Sequence, residues 1–220
     1  MKNYFVAEGV DRIGKTYFVE KTHKKIRPLA TLREPANTAQ VPNLRNLIDG
    51  TSTNLMLDNP LNLTIPLSSE DKERLFNHSR EYVIGLVEDI KKKDKQVLVD
   101  RSFLSGIAYR LNEYKEEITE EMIFELDDEY TYCPTPDMTF LFIADDELLK
   151  HPLGDAEGIN DDMGYEKRKR LQDIYIKVCD VLLGGRFTHT VLLTKDLKKN
   201  NELMNELIKT YFESEDKSNG

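Results

Sequence analysis

Two textures alternate along the chain. Short runs such as Val97-Leu98-Val99 and Thr139-Phe140-Leu141-Phe142-Ile143 are almost continuously apolar, without a polar residue at every second position. That pattern suits strands covered by helices on both faces. Longer stretches between them mix apolar and charged positions and read as helices. The pattern predicts strands over 3–7, 28–33, 96–100, 137–143 and 188–193. It predicts helices over about 15–25, 40–49, 70–93, 102–113, 119–130, 165–184 and 199–213. Strands separated by helices imply βαβ units and a mostly parallel sheet of about five strands, an α/β fold.

Two stretches break this alternation. Residues 51–68 are rich in Asn, Thr, Ser, Leu and Pro and read as a surface insertion. Residues 152–164 hold three glycines and four acidic groups. They fit either a small mobile lid, over about 151–164, or an ordinary acidic loop. The end of the chain, 214–220, has the composition of a disordered tail. With no internal repeat, residues 1–213 are expected to form one domain.

Composition narrows the possibilities. The 220 residues suffice for one α/β domain with a sizeable core. A net charge of −9 opposes a nucleic-acid-coating role, so no nucleic-acid partner is expected. No apolar run approaches the ~20 residues of a membrane span, and residues 1–8 do not resemble a secretory leader. Cys133 and Cys179 lack metal-ligand spacing and are expected to be free thiols in a reducing cytoplasm. His23, His78, His151 and His189 are scattered and suggest no metal site.

The chemistry begins after the first strand. Gly9 to Thr16 fits G-x-x-x-x-G-K-[ST], the phosphate-binding loop of P-loop NTPases, following a short apolar run and opening a helix. Gly9 and Gly14 let the backbone fold into a nest of N–H groups facing phosphate oxygens. The helix beyond Gly14 adds its positive end. Lys15 supplies a charge for the β and γ phosphates of ATP, and Thr16 a hydroxyl for Mg²⁺. Three more segments stand out. Asp100-Arg101-Ser102 follows the strand ending at Val99, and ligands of parallel sheets gather at such ends. Leu32-Arg33-Glu34-Pro35 ends another strand, with Arg45 ten residues beyond Pro35. Phe76 and Arg80 lie one helical turn apart, where a ring and a guanidinium suit a base.

In order and spacing these motifs resemble the thymidylate kinase family. The segments Leu32-Arg33-Glu34-Pro35, Arg45, Leu75-Phe76-Asn77-His78-Ser79-Arg80, Asp100-Arg101-Ser102-Phe103-Leu104-Ser105-Gly106-Ile107-Ala108-Tyr109 and Pro136-Asp137-Met138-Thr139 carry the resemblance from residue 3 to about 180. It implies a P-loop NTPase-type three-layer sandwich and transfer of the γ-phosphoryl of ATP to dTMP, giving dTDP and ADP. Gly9, Gly14, Lys15 and Thr16 would hold the ATP phosphates. Asp11 would bind the sugar hydroxyl, and Arg45 and Arg101 would clamp the acceptor phosphate. Phe76 would stack on thymine, Arg80 would donate to its O4, and Tyr109 would lie near the sugar. Asp100 would serve the Mg²⁺ shell, with Glu8 beside it. The resemblance also implies a homodimer.

Arg12 sharpens the reading. Some members of the family carry a catalytic arginine in the P-loop and others in the lid. Residues 151–164 contain no Arg or Lys, whereas the P-loop contains Arg12. Arg12 is therefore expected to stabilise the transferring phosphoryl group, with Lys15 and Asp100 as the other catalytic residues. The chain departs from the family pattern at Ala36-Asn37-Thr38 after Glu34-Pro35, at Ser102, and in the 51–68 insertion. These departures leave open a broader deoxynucleoside monophosphate kinase. A deoxynucleoside kinase shares the P-loop, and a catalytically weak nucleotide-binding regulator is a further alternative.

Overall fold

The central strand shows why the chain folds around its P-loop. β1 (Tyr4–Glu8) is buried along all five residues. It pairs in parallel with β3 (Val97–Asp100) on one side and β4 (Met138–Ala144) on the other. β2 (Ala30–Arg33) adds beside β3, and β5 (Thr188–Leu193) beside β4. The sheet order is β2-β3-β1-β4-β5, all parallel, in a computed structural model that describes residues 3–36, 68–153 and 163–213.

Successive β1 side chains point to opposite faces. Tyr4 and Val6 join Val97 and Val99 under Val83 and Val87 of α2 (Ser69–Lys91). Phe5 faces the other way and meets Phe212 of α7 (Leu197–Phe212), with ring centroids 4.7 Å apart. Phe18 of α1 (Lys15–Lys25) sets its ring edge-on to Phe140 at 5.3 Å. Helices thus cover both faces, as the continuous apolar runs require. Fully burying one such ring contributes about 1.5–3 kcal/mol.

The remaining elements are α3 (Phe103–Glu113), α4 (Glu120–Asp127) with a 3₁₀ turn at Asp128–Tyr130, α5 (Asp146–Lys150) and α6 (Tyr165–Phe187). Within the described residues every observed element except α5 overlaps one that the pattern predicts. The expected helix 40–49 and most of the 51–68 insertion lie outside those residues. The short α5 escapes sequence reading because five residues are too few to show a helical period. Its start is fixed by Asp145, whose side chain accepts from Leu148 N at 2.8 Å. Inside α6, Gly184 leaves helical geometry at φ 61°, where the sequence pattern ends its helix. Among the described residues no helix is long and apolar enough to cross a membrane.

This topology places the chemistry. The connections leaving β1 and β3 run to opposite sides, towards β2 and β4 respectively, so a crevice opens at the carboxyl ends of these two strands. In register, Ala7 lies beside Asp100, and Asp100 beside Arg33. The P-loop, the Asp100–Ser102 segment and the Arg33–Pro35 segment therefore meet at one end of the sheet.

Candidate active site

Close packing shapes the P-loop before any ligand does. Gly9 has φ 131°, and a Cβ there would lie 2.1 Å from the carbonyl oxygen of Phe142. Only glycine lets β1 turn this sharply beside β4. Gly14 (φ 117°) caps α1 in a left-handed conformation, and Phe18 N donates to Gly14 O at 3.1 Å. The helix N-terminus thus faces the loop, as an anion site requires. Lys15 is buried, and its Nζ donates to Val10 O at 2.5 Å. Burial and the neighbouring Arg101 charge pull its pKa down to about 8, against the pull of Asp11, Asp100 and Glu8.

Thr16 and Asp100 come together across the crevice. The Thr16 hydroxyl donates to Asp100 Oδ2 at 2.7 Å, and Arg33 Nε stands 3.7 Å from the same oxygen. Among the described residues no cluster of three or more His, Cys, Asp or Glu could hold a metal. A hydroxyl and one carboxylate nevertheless suit Mg²⁺, which binds few protein oxygens and takes the rest from phosphate and water.

Glu8, beside Asp100 in the sequence expectation, is held by two serines. It has no solvent exposure, and Oε1 accepts from both the amide and the hydroxyl of Ser102 at 2.7 Å. Oε2 accepts from the Ser105 hydroxyl at 2.6 Å. Burial pushes its carboxyl up, opposed by Arg101 and the serine hydrogen bonds. These partners engage both carboxylate oxygens and tie Glu8 to the turn carrying Asp100 and Arg101, and Ser102 in turn caps α3 by accepting from Leu104 N.

Arg101, at φ 80°, is the hub of a hydrogen-bonded cluster beside the P-loop. Its Nη2 donates to Asp11 Oδ1. Its Nη1 reaches Tyr175 OH at 2.8 Å, Ser105 Oγ at 3.0 Å and Gly9 O at 3.3 Å. The other Asp11 oxygen accepts from Tyr109 OH, whose ring lies 5.6 Å from the Arg101 guanidinium. Burial opposes ionisation of Asp11, but Arg101, Lys15 and these hydrogen bonds outweigh it and hold the carboxyl far below its ordinary range. The structure therefore brings Asp11, Arg101 and Tyr109 into one cluster.

Arg80 belongs to a second cluster. It is almost fully buried, and its Nε donates to Glu34 Oε2 at 3.1 Å. Its Nη1 donates to Asn77 Oδ1 at 3.1 Å, and the guanidinium lies over the Tyr130 ring at 4.9 Å. Burial pushes the Glu34 carboxyl up to about 7, although Arg80 draws it down. A Cβ on Gly106 would lie 2.8 Å from Tyr130 Oη and 3.2 Å from Arg80 Nη2, so glycine there leaves room for both. Phe76 sits partly buried one turn before Arg80. Arg45 lies outside the described residues.

Arg12 has φ 62° and joins the chain that follows α5. Its Nε donates to Leu153 O at 3.0 Å, and Leu153 N donates to Arg12 O at 2.9 Å. Residues 154–162 of the expected lid lie outside the described residues.

Sequence reading left several residues of these clusters without a role. Glu34, Ser105 and Gly106 stood inside quoted motifs, so their positions were visible but not their partners. Tyr130 and Tyr175 carried no local signal, because each reaches its cluster from a separate part of the chain.

The thymidylate kinase family model matches residues 7–202. The thymidylate kinase of Campylobacter concisus is 26% identical over 210 residues, covering 95% of this chain and 98% of its own. That of Sulfurovum sp. is 30% identical over 159 residues, covering 70% of this chain and 72% of its own. In fold, the chain is similar to the thymidylate kinase of Candida albicans (TM-score 0.69, 17% identity, covering 95% and 92% of the two chains). It is also similar to that of Ehrlichia chaffeensis (TM-score 0.63, 22% identity, covering 94% and 97%). The family match spans the P-loop, the Arg33–Pro35 segment, Arg80 and the Asp100–Ser102 turn, the parts that meet at the end of the sheet. On that agreement of whole-chain match and assembled crevice, the chain belongs to the thymidylate kinase family.

Proposed function

We propose that this protein transfers the γ-phosphoryl of ATP to dTMP, giving dTDP and ADP. The observation that carries the reading is the cluster in which Arg101 joins Asp11 of the P-loop to Tyr109 and Tyr175. It sets a guanidinium for an acceptor phosphate and groups for a sugar hydroxyl directly against the donor loop. Two reactants held in one crevice react with a much smaller entropic barrier than in solution. Lys15, the P-loop amides and Arg12 would neutralise charge on the transferring group, and little covalent chemistry is asked of the protein. Thr16 and Asp100 would hold Mg²⁺, which when bound would neutralise negative charge on the donor phosphates. Arg45 would complete the acceptor-phosphate clamp, the feature that sets a monophosphate acceptor apart from a nucleoside. A homodimer in the cytoplasm is the assembly and location that this reading carries.

Base choice follows from Arg80. Nε and Nη1 are engaged by Glu34 and Asn77, and the guanidinium is held over Tyr130. A guanidinium only donates, so it matches a carbonyl edge such as O4 of thymine or uracil. Cytosine presents an amino donor at that position, and a buried donor facing a donor loses affinity. The Candida albicans enzyme has broad substrate specificity. Breadth in this chain is expected to extend to dUMP rather than dCMP. An ADP-release assay with dTMP, dUMP, dCMP and thymidine should place dTMP and dUMP at least about 10²-fold above dCMP in kcat/KM. Equal efficiency on dCMP would overturn the role of Arg80. Thymidine outperforming dTMP would point to a deoxynucleoside kinase.

A further inference from the structure

Tyr175 lies on α6, outside every motif that marks the active site, yet its hydroxyl reaches the centre of the acceptor cluster. The side chain is fully buried. Its hydroxyl lies 2.8 Å from Arg101 Nη1 and 2.7 Å from Ser105 Oγ. We infer that Tyr175 is a positioning residue that sets the Arg101 guanidinium for the acceptor phosphate, through a one-way chain of hydrogen bonds anchored on Glu8.

The direction of that chain follows from counting protons. Ser105 has one hydroxyl hydrogen and gives it to Glu8 Oε2 at 2.6 Å. The bond between Ser105 and Tyr175 must then be donated by Tyr175. That leaves the Tyr175 oxygen as an acceptor facing Arg101, which only donates. Ser105 Oγ accepts from the same Nη1 at 3.0 Å. Two hydroxyls aligned by one buried carboxylate thus present lone pairs to a single guanidinium nitrogen. The other nitrogen is drawn to Asp11. Fixed on both sides, the fork cannot rotate freely, and its order is established before the acceptor binds. Such preorganisation strengthens acceptor binding without touching the donor.

The inference rests on the reading of Arg101 as the acceptor-phosphate clamp, and the experiment separates the two. Initial rates are measured against dTMP and against ATP for the parent, Tyr175→Phe, Arg101→Lys and the double variant. Tyr175→Phe keeps the ring that fills the core and removes only the hydroxyl. It should raise KM for dTMP about tenfold, the effect of losing one hydrogen bond to a charged group, and change KM for ATP less than about twofold. Arg101→Lys loses the fork and should raise KM for dTMP further. The double variant should be no worse than Arg101→Lys alone, because the hydroxyl acts only through the guanidinium. Ser105→Ala removes the neighbouring hydroxyl and carries the same test should Tyr175→Phe not fold. Equal changes in both KM values, or additive losses in the double variant, would make Tyr175 a core residue only and leave the clamp standing. An Arg101→Lys variant with the parent KM for dTMP would overturn the clamp reading and this inference with it.

Discussion

Arg12→Gly is expected to fold, to bind ATP and dTMP near normally, and to lose at least ~10²-fold in kcat, a floor set about tenfold below the ~10³–10⁵ typical of arginine fingers. The backbone favours this substitution. Arg12 sits at φ 62°, a region glycine occupies at little cost. The bond from Leu153 N to Arg12 O uses the main chain and survives the change. On the proposed role the guanidinium contributes mainly in the transition state, so the loss should fall on kcat with KM little changed. Steady-state kinetics on both substrates reads this directly. A variant with kcat within about threefold of the parent would leave Arg12 a loop charge, since removing a transition-state contact costs far more. The catalytic cation would then be sought among Lys167, Arg168 and Arg170. Two of these already hold main-chain carbonyls: Arg168 donates to Leu149 O at 3.4 Å, and Arg170 to Tyr114 O at 2.8 Å and Glu116 O at 3.1 Å.

Lys15→Met is expected to stabilise the fold while removing about 10²–10³ in kcat, the usual effect of deleting one preorganised charge at a reacting phosphate. The two effects share one cause. Lys15 is buried, and burial together with Arg101 lowers its pKa from 10.5 to about 8. Between about pH 8 and 10.5 the unfolded chain holds more protons at this group than the folded one, so stability rises with pH across that window. Below pH 8 the folded protein carries the whole cost of the desolvated ammonium, at about 1.4 kcal/mol per pKa unit. Methionine fills similar space without charge. At pH 7 the variant should therefore melt at a higher temperature than the parent, and the gap should close as pH rises towards 10.5. Thermal unfolding of both proteins at several pH values checks the sign. A variant less stable than the parent at pH 7 would show that the contact with Val10 O outweighs desolvation. A functional group that costs stability is a common compromise in enzymes.

How far the sequence foretold the site depended on how local each signal was. The P-loop was legible because its glycines, lysine and threonine act within one turn of chain, where spacing alone fixes geometry. The strands β3 and β4 were legible because burial on both faces leaves no polar alternation. Asp100 and Arg101 followed from their place at a strand end. The lateral partners were not legible. Glu34 and Arg80 stand 46 residues apart and meet only because β2 and α2 pack together. Tyr175 meets Arg101 across 74 residues. Glu8 was read from its place beside the P-loop, and its bonds to Ser102 and Ser105 at the start of α3 were not legible, because they span more than 90 residues.

The central claim is a transfer between two bound nucleotides, and product identity tests it most directly. The purified protein would be incubated with ATP, Mg²⁺ and dTMP, and all phosphorus species followed by ³¹P NMR. The account predicts that dTDP and ADP rise together in equal amounts as ATP and dTMP fall, with inorganic phosphate at background. ADP accompanied by inorganic phosphate and no dTDP, or no turnover of either nucleotide, would contradict it.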